Sequence, residues 1–165
     1  MNDEFEEHRF RKEVSRSWQA VWAVAQHIHS CGDWQIRVQP LRLRPDIEQR
    51  DGFGDAADLF IAKLGAQWMP VEVKWRDLDF TDGFDFPYPT IFIDRSRKSD
   101  AAHPAGYVMV NRDLTHAAQI NWSTRQFWLG PNTYFDNVKG YEVTVYECPL
   151  DHVRFYNLNP RGGTL

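Results

Sequence analysis

Cysteine is nearly missing from this chain. Cys31 and Cys148 are the only two in 165 residues and form no CxxC pair. Their scarcity excludes a disulfide framework and a cysteine-built structural zinc site, and two free thiols are expected. Long apolar runs are missing as well. No stretch approaches the roughly 18 residues of a membrane span, and no secretory core follows the charged segment from Met1 to Lys12. The expectation is a soluble, cytoplasmic protein with no membrane partner. Positive charge is also scarce, with 19 Lys and Arg against 23 Asp and Glu and a formal net charge of −4. That balance argues against a protein that coats nucleic acid nonspecifically. Neither internal repeats nor a linker-like stretch divides the chain.

What is present suits one globular domain over residues 1–165. Hydrophobic residues make up 42% and there are seven tryptophans, enough to build a sizeable core. Charge is unevenly placed. Between Pro45 and Asp94 lie eleven acidic and four basic residues, a local −7, so the remainder carries +3 against the total of −4. An acidic middle with basic flanks suits a metal site ringed by substrate-holding residues, and equally an ordinary acidic surface.

Hydrophobic periodicity predicts a helix over residues 3–29, with Phe10, Val14, Trp18, Val21, Trp22, Ala25 and Ile28 on one stripe and Gly32 just past its end. Trp34 to Arg44 reads as a strand whose parity switches at Pro40, where a bulge or an edge position is expected. Residues 45–56 read as a polar loop. Ala57 to Leu64 has strand length, and Gly65-Ala66-Gln67 suits a turn. The cleanest strand is Trp68 to Arg76, where Met69, Val71, Val73 and Trp75 alternate with Trp68, Pro70, Glu72, Lys74 and Arg76, so that one face is apolar and the other ends in charge. Asp77 to Pro89 is a loop long enough to be functional. Thr90 to Asp94 is apolar and β-branched, and Arg95 to Ala102 suits a short helix or a strand. A hairpin is expected from Gly106–Asn111 and Ala117–Trp122, followed by strands at Tyr141–Cys148 and Val153–Leu158. An N-terminal helix ahead of a mostly β chain indicates a mixed α/β (α+β) fold.

One constellation carries chemistry. Asp58 opens a predicted strand, thirteen residues separate it from Glu72, and Lys74 follows two residues on. Period two places Glu72 and Lys74 on one face while Val71 and Val73 enter the core. Pairing through the turn near Gly65 brings Asp58 within reach of Glu72. Two carboxylates and a nearby carbonyl such as that of Val73 form an oxygen-rich site for a hard divalent cation. Mg²⁺ suits it, because that ion keeps waters of which one can serve as nucleophile. Charged residues on an otherwise buried strand need an explanation; a surface ion pair between Glu72 and Lys74 is the competing one.

The order helix, strand, Gly-Asp-Ala-Ala-Asp58-Leu-Phe-Ile, turn, Val-Glu72-Val-Lys74-Trp-Arg resembles the core of the PD-(D/E)xK nuclease superfamily, which includes restriction endonucleases and archaeal-type Holliday junction resolvases. The likeness covers about residues 5–76, and Gly106 to Trp122 fits the later core strands. It implies a restriction-endonuclease-like core with a central mixed β-sheet and Mg²⁺-dependent hydrolysis of DNA phosphodiesters, Mn²⁺ serving as a substitute ion. Asp58 and Glu72 would be the metal ligands, with Val73, and Lys74 would attend the attacking water. The chain departs from the pattern at Ala57, where the family has proline. The literal Pro45-Asp46 pair lies too far upstream, and Asp55 is a competing ligand.

Relatives of this kind also place a helix glutamate near the metal, a role that would fall to Glu13, or else Glu6 or Glu7. Arg76, Arg95, Arg97 and Lys98 are candidates for holding the DNA backbone, the last three as one basic cluster. Phe80, Phe84, Phe86 and Tyr88 suit stacking on unpaired bases or packing over the core. Homodimerisation would suit an enzyme that cuts both strands or a symmetric junction. The other expectation is a noncatalytic nuclease-fold protein, a binding or structural accessory such as a phage encodes, which the acidic total charge favours.

Overall fold

A computed structural model describes residues 2–40, 57–136 and 140–159. The long helix α1 spans Asn2–Ser30, as its apolar stripe predicts, and no helix among the described residues is long and apolar enough to cross a membrane. Strands follow at Trp34–Val38 (β1), Leu59–Lys63 (β2), Met69–Trp75 (β3) and Thr90–Arg95 (β4). Helix α2 (Ser96–Ala102) separates β4 from β5 (Gly106–Val110). Then come β6 (His116–Asn121), a 3₁₀ turn at Trp122–Phe127, β7 (Leu129–Asp136), β8 (Tyr141–Pro149) and β9 (Arg154–Asn157). The fold is mixed α/β, with an N-terminal helix and a multistranded sheet.

Six strands form a mixed sheet in the order β1-β2-β3-β5-β6-β9. Strands β1, β2 and β3 are consecutive and antiparallel, whereas β5 runs parallel to β3. A parallel neighbour requires a crossover, and the segment containing β4 and α2 supplies it. The hairpin from β5 to β6 is antiparallel, its turn tied by Asn111, whose Oδ1 accepts from the amides of Thr115 and His116 at 2.9 and 3.1 Å.

Both faces of this sheet are covered, and strand parity decides which residue goes where. On one face Val71, Val73, Val108, Val110 and Ala117 pack with Ala20, Val21, Val24 and Ala25 of α1. On the other, Tyr107, Met109, Ala118 and Ile120 pack with Ile91, Ile93, Tyr146 and Cys148 of a second sheet. That second sheet is antiparallel, in the order β4-β8-β7. The apolar residues buried on both sides of β5 explain why its sequence reads as an unbroken hydrophobic run rather than an alternation.

Several elements depart from the sequence reading. Strand β1 stops at Val38, ahead of Pro40; the expected continuation to Arg44 lies outside the described residues, as do the side chains of Glu6, Glu7 and Phe10, and Asp46 and Asp55. Asp58 does not open β2 but occupies the bend before Leu59. Its side chain takes the Val73 amide that the next ladder bond would use, which ends the pairing there. Residues 95–102 resolve into a helix from Ser96. Strand β7 has no counterpart in the sequence reading; it contains Pro131 and is an edge strand, where proline is tolerated.

The expected loop at 77–89 is well anchored. Phe80 is buried in the core between the two sheets, and Phe86 packs edge-on against it with ring centroids 5.3 Å apart. Arg112 ties the loop's start by ion pairs to Asp77 and Asp79 at 2.6 and 2.7 Å. Phe84, in contrast, is fully exposed and Tyr88 half-exposed. Phe80 and Phe86 thus pack over the core, whereas Phe84 and Tyr88 remain accessible to solvent.

Candidate functional site

The antiparallel register pairs Leu59 with Val71. One step on, Asp58 stands opposite Glu72, and its Oδ2 accepts a 2.7 Å hydrogen bond from the Val73 amide. The bend at Asp58 is held from the other side, where its carbonyl accepts from the Gln39 amide at 3.0 Å. Asp58 is thus fixed between β1 and β3. Glu72 is 3% exposed, since it points from the centre of the main sheet toward β4 and α2, which cover that face.

Two lysines meet these carboxylates. Lys98 of α2 places Nζ 3.1 Å from Glu72 Oε2 and 3.8 Å from Asp94 Oδ2. Lys74 lies 4.0 Å from Glu72 Oε2 but pairs closely with Asp94, at 2.8 Å. The simple Glu72–Lys74 ion pair considered from sequence is therefore the longest of these contacts, and the lysine turns to a carboxylate on another strand. The other oxygen of Glu72, Oε1, is buried and has no hydrogen-bond partner among the described residues. A bare buried carboxylate oxygen costs free energy on the order of 1–3 kcal/mol or more, so a cation or water donor is called for at that position.

The electrostatics follow from burial and from this pairing. Burial pushes the Asp58 carboxyl up from 3.8 to about 6, with the Glu72 charge adding to the rise and the Val73 amide, Lys74 and Lys98 opposing it. Burial also works to raise Asp94, but Lys74 and Lys98 outweigh it and hold that carboxyl below its ordinary range. For Lys98, burial acts downward, and Glu72 and Asp94 overcome it and keep the ammonium above its ordinary value. The cluster thus contains three carboxylates and two ammonium groups, and Asp58 is its least comfortable anion.

These groups open into a cleft of about 560 Å³, lined by Asp58, Glu72, Val73, Lys74, Arg76 and Lys98 together with Glu13, Val14 and Ser17 of α1. Glu13 is exposed there, so the helix does carry the expected glutamate to the cleft. Among the described residues, no group of three or more His, Cys, Asp or Glu side chains is arranged to hold a metal ion. Four carboxylates line the cleft, those of Glu13, Asp58, Glu72 and Asp77, and the donor set considered is the Asp58 and Glu72 pair with the Val73 peptide that Asp58 touches. That set fits an ion that retains much of its water shell, as Mg²⁺ does, and Glu72 Oε1 is the oxygen left over for it.

The four basic candidates separate. Lys98 joins the carboxylates instead of forming a surface patch with Arg95 and Arg97. Arg95 turns to Tyr141, donating a 2.7 Å hydrogen bond to its hydroxyl, and Arg97 is exposed. Arg76 donates to the Phe92 carbonyl at 3.3 Å; burial lowers its guanidinium from the ordinary value and Asp94 opposes that. Two residues escaped the sequence reading. Asp94, closing an apolar strand, offered the same signal as Glu72 and completes the lysine pairing. Glu147 is buried on β8 and accepts from Thr90 Oγ1 at 2.6 Å, from Asn132 Nδ2 at 2.9 Å and from the Tyr134 hydroxyl. No family model, curated protein or solved structure matches this chain.

Proposed function

We propose that this chain is a Mg²⁺-dependent nuclease with a restriction-endonuclease-like core, acting on DNA phosphodiester bonds at the Asp58–Glu72–Lys74 cleft. The observation that carries the reading is the meeting of two desolvated carboxylates, Asp58 in the bend before β2 and Glu72 on β3, with one Glu72 oxygen left without a donor among the described residues. Of the strands expected to follow in the core, β5 adjoins β3 and β6 adjoins β5, which supports the resemblance further.

Asp58, Glu72 and the Val73 carbonyl would hold the ion, and Mn²⁺ has the same preference for such oxygens. When bound, Mg²⁺ supplies charge for the phosphoryl oxygens and a bound water of raised acidity. The protein's own groups do the rest. Lys74, oriented by Asp94 at 2.8 Å, directs an N–H toward the attacking water or a nonbridging phosphate oxygen. Lys98, kept charged by Glu72 and Asp94, offsets the negative charge that develops as water adds to phosphorus and the P–O bond to the leaving strand breaks. Arg76, and Arg95 and Arg97 farther out, serve the flanking phosphates, and Glu13 reaches the cleft from α1.

Cleavage of linear, nicked and branched DNA with and without Mg²⁺ tests the proposal. Glu72→Gln and Lys74→Ala should each lower the rate by roughly 10²–10⁴-fold, the scale of lost acid–base or electrostatic assistance. A wild type that cuts none of these substrates, or a Lys74→Ala protein of undiminished rate, refutes it. One observation favours a noncatalytic DNA-binding or accessory role: Lys74 and Lys98 already offset most of the carboxylate charge, in a chain of net −4. Binding without cleavage would establish that role.

A further inference from the structure

A second cavity, of about 600 Å³, lies beside the carboxylate cleft and shares Arg76 with it as a common wall. Its volume is within the range of about 300–1,000 Å³ typical of small-molecule pockets. Aromatic side chains line it, with Phe86 and Tyr88 from the 77–89 loop and Phe92 from β4. Phe86 and Tyr88 are in edge-on contact, centroids 6.2 Å apart, while Phe92 leans on Tyr134 at 4.8 Å. The polar groups at the cavity are few: Arg76, Thr90 and Glu147. Three protein donors reach Glu147, two on Oε1 and one on Oε2. A carboxylate has about four acceptor sites, so the network fixes this side chain and leaves one site on Oε2 open to a donor.

We propose that this cavity receives one unpaired nucleobase of the strand whose phosphate lies in the neighbouring carboxylate–lysine cleft. The proposal rests on the nuclease reading and adds the substrate class: DNA with a base out of the stack, at a bulge, branch or single-stranded end. The flat faces of Phe86, Tyr88 and Phe92 suit a π-face of any base. Glu147 Oε2 accepts from an amino or imino group on the base edge. Arg76, standing between the two cavities, spans the sugar-phosphate that joins the seated base to the reacting phosphate. Strand β4 ties the compartments together, since Thr90 and Phe92 line the base cavity while Asp94 holds Lys74 and Lys98.

The test is a titration of the full chain in Ca²⁺ without Mg²⁺, so that binding is read separately from cleavage. Three oligonucleotides are compared: a duplex, the same duplex with a single bulged guanine, and the same bulge made abasic. The bulged guanine should bind tighter than its abasic counterpart by roughly 5- to 150-fold, the worth of one stacked base. Tyr88→Ala removes a half-exposed wall and Leu78→Trp fills the cavity. Each should abolish most of that preference and leave duplex affinity unchanged. Equal binding of guanine and abasic bulges by wild type overturns the proposal, as does a preference that survives in both variants. Cleavage in Mg²⁺ is followed in parallel. A base preference without cleavage upholds the pocket and refutes the nuclease, cleavage without preference does the reverse, and failure to bind any oligonucleotide overturns both.

Discussion

Replacing Asp58 by Asn should make the metal-free protein more stable, and the gain should depend on pH. Burial holds the Asp58 carboxyl at about 6 against its usual 3.8. The folded state therefore binds this proton more tightly than the unfolded state. By linkage, stability is highest below pH 3.8, falls as pH rises through the interval to about 6, and then levels off. At 1.36 kcal/mol per pH unit the interval amounts to about 3 kcal/mol, an upper figure because the group retains some solvent contact. Asparagine keeps an oxygen to accept the 2.7 Å bond from the Val73 amide but carries no charge to desolvate. Urea melts in EDTA should thus show Asp58→Asn equal to wild type near pH 4 and more stable by about 1–3 kcal/mol at pH 8. Adding Mg²⁺ at pH 8 should narrow that difference by stabilising wild type alone, by about 1.4 kcal/mol at a tenfold excess over Kd. A variant less stable than wild type at pH 8 in EDTA, or a difference that does not change with pH, refutes the argument that Asp58 is an anion kept in place at a cost.

Other expectations follow from neighbouring contacts. Lys98→Ala should lower stability by about 1 kcal/mol, because it leaves Glu72 and Asp94 short of a counter-charge at a partly exposed position; urea melts in EDTA measure this, and added Mg²⁺ should recover part of it. Asp94→Asn should reduce cleavage while retaining Mg²⁺-dependent stabilisation, since Asp94 acts through Lys74; unchanged cleavage would remove that role. Cys31 is exposed and Cys148 buried, with the Cys148 thiol pushed up to about 11 by burial. At pH 8 a thiol reagent should therefore label one equivalent in the native protein and two after denaturation. Phe80→Ala should cost about 3–5 kcal/mol, as Phe80 anchors the 77–89 loop in the core, and hydrogen exchange across that loop should quicken.

The parts of the fold legible in the sequence are those fixed by local periodicity. The α1 stripe and the β3 alternation each record a single buried face, and the turn at Gly65 joins two strands close in sequence. From these alone Asp58, Glu72 and Lys74 fall on one end of the sheet. What pairing across distance decides was not legible. The sequence indicates that Thr90 to Asp94 is a strand but carries no sign that β4 leaves the main sheet to join β8 and β7. That departure brings Asp94 over β3 and sets Lys98, one helical turn later, above Glu72. Arg95, Arg97 and Lys98 are close in sequence but do not share a direction: Arg95 ends β4 and turns to Tyr141, while Arg97 and Lys98 lie on α2. On a helix, residues one apart diverge, and only Lys98 faces the sheet.

The same geometry explains how a chain of net negative charge can maintain the Asp58, Glu72 and Asp94 carboxylates in one cluster. Neither lysine has a carboxylate to itself: Asp94 stands between Lys74 and Lys98, and Glu72 touches both. Sharing of this kind spreads two positive charges over two anions and leaves Asp58 as the surplus. The surplus carboxylate is held by the Val73 amide, and the Asp58 backbone is held through its carbonyl by the Gln39 amide. A turn of this carboxylate toward water would break its 2.7 Å bond to the Val73 amide, whereas the lysine stem is long enough to swing. Binding of a divalent cation at Asp58 and Glu72 would therefore be met by movement of Lys98 away from Glu72, toward Asp94 or an incoming phosphate. Lys98→Met, which keeps the apolar stem but removes the competing charge, should accordingly bind Mg²⁺ more tightly than wild type while cutting DNA more slowly. Calorimetric titration with Mg²⁺ reads the first effect and cleavage the second; weaker Mg²⁺ binding by the variant would show that Lys98 supports the ion site instead of competing for it.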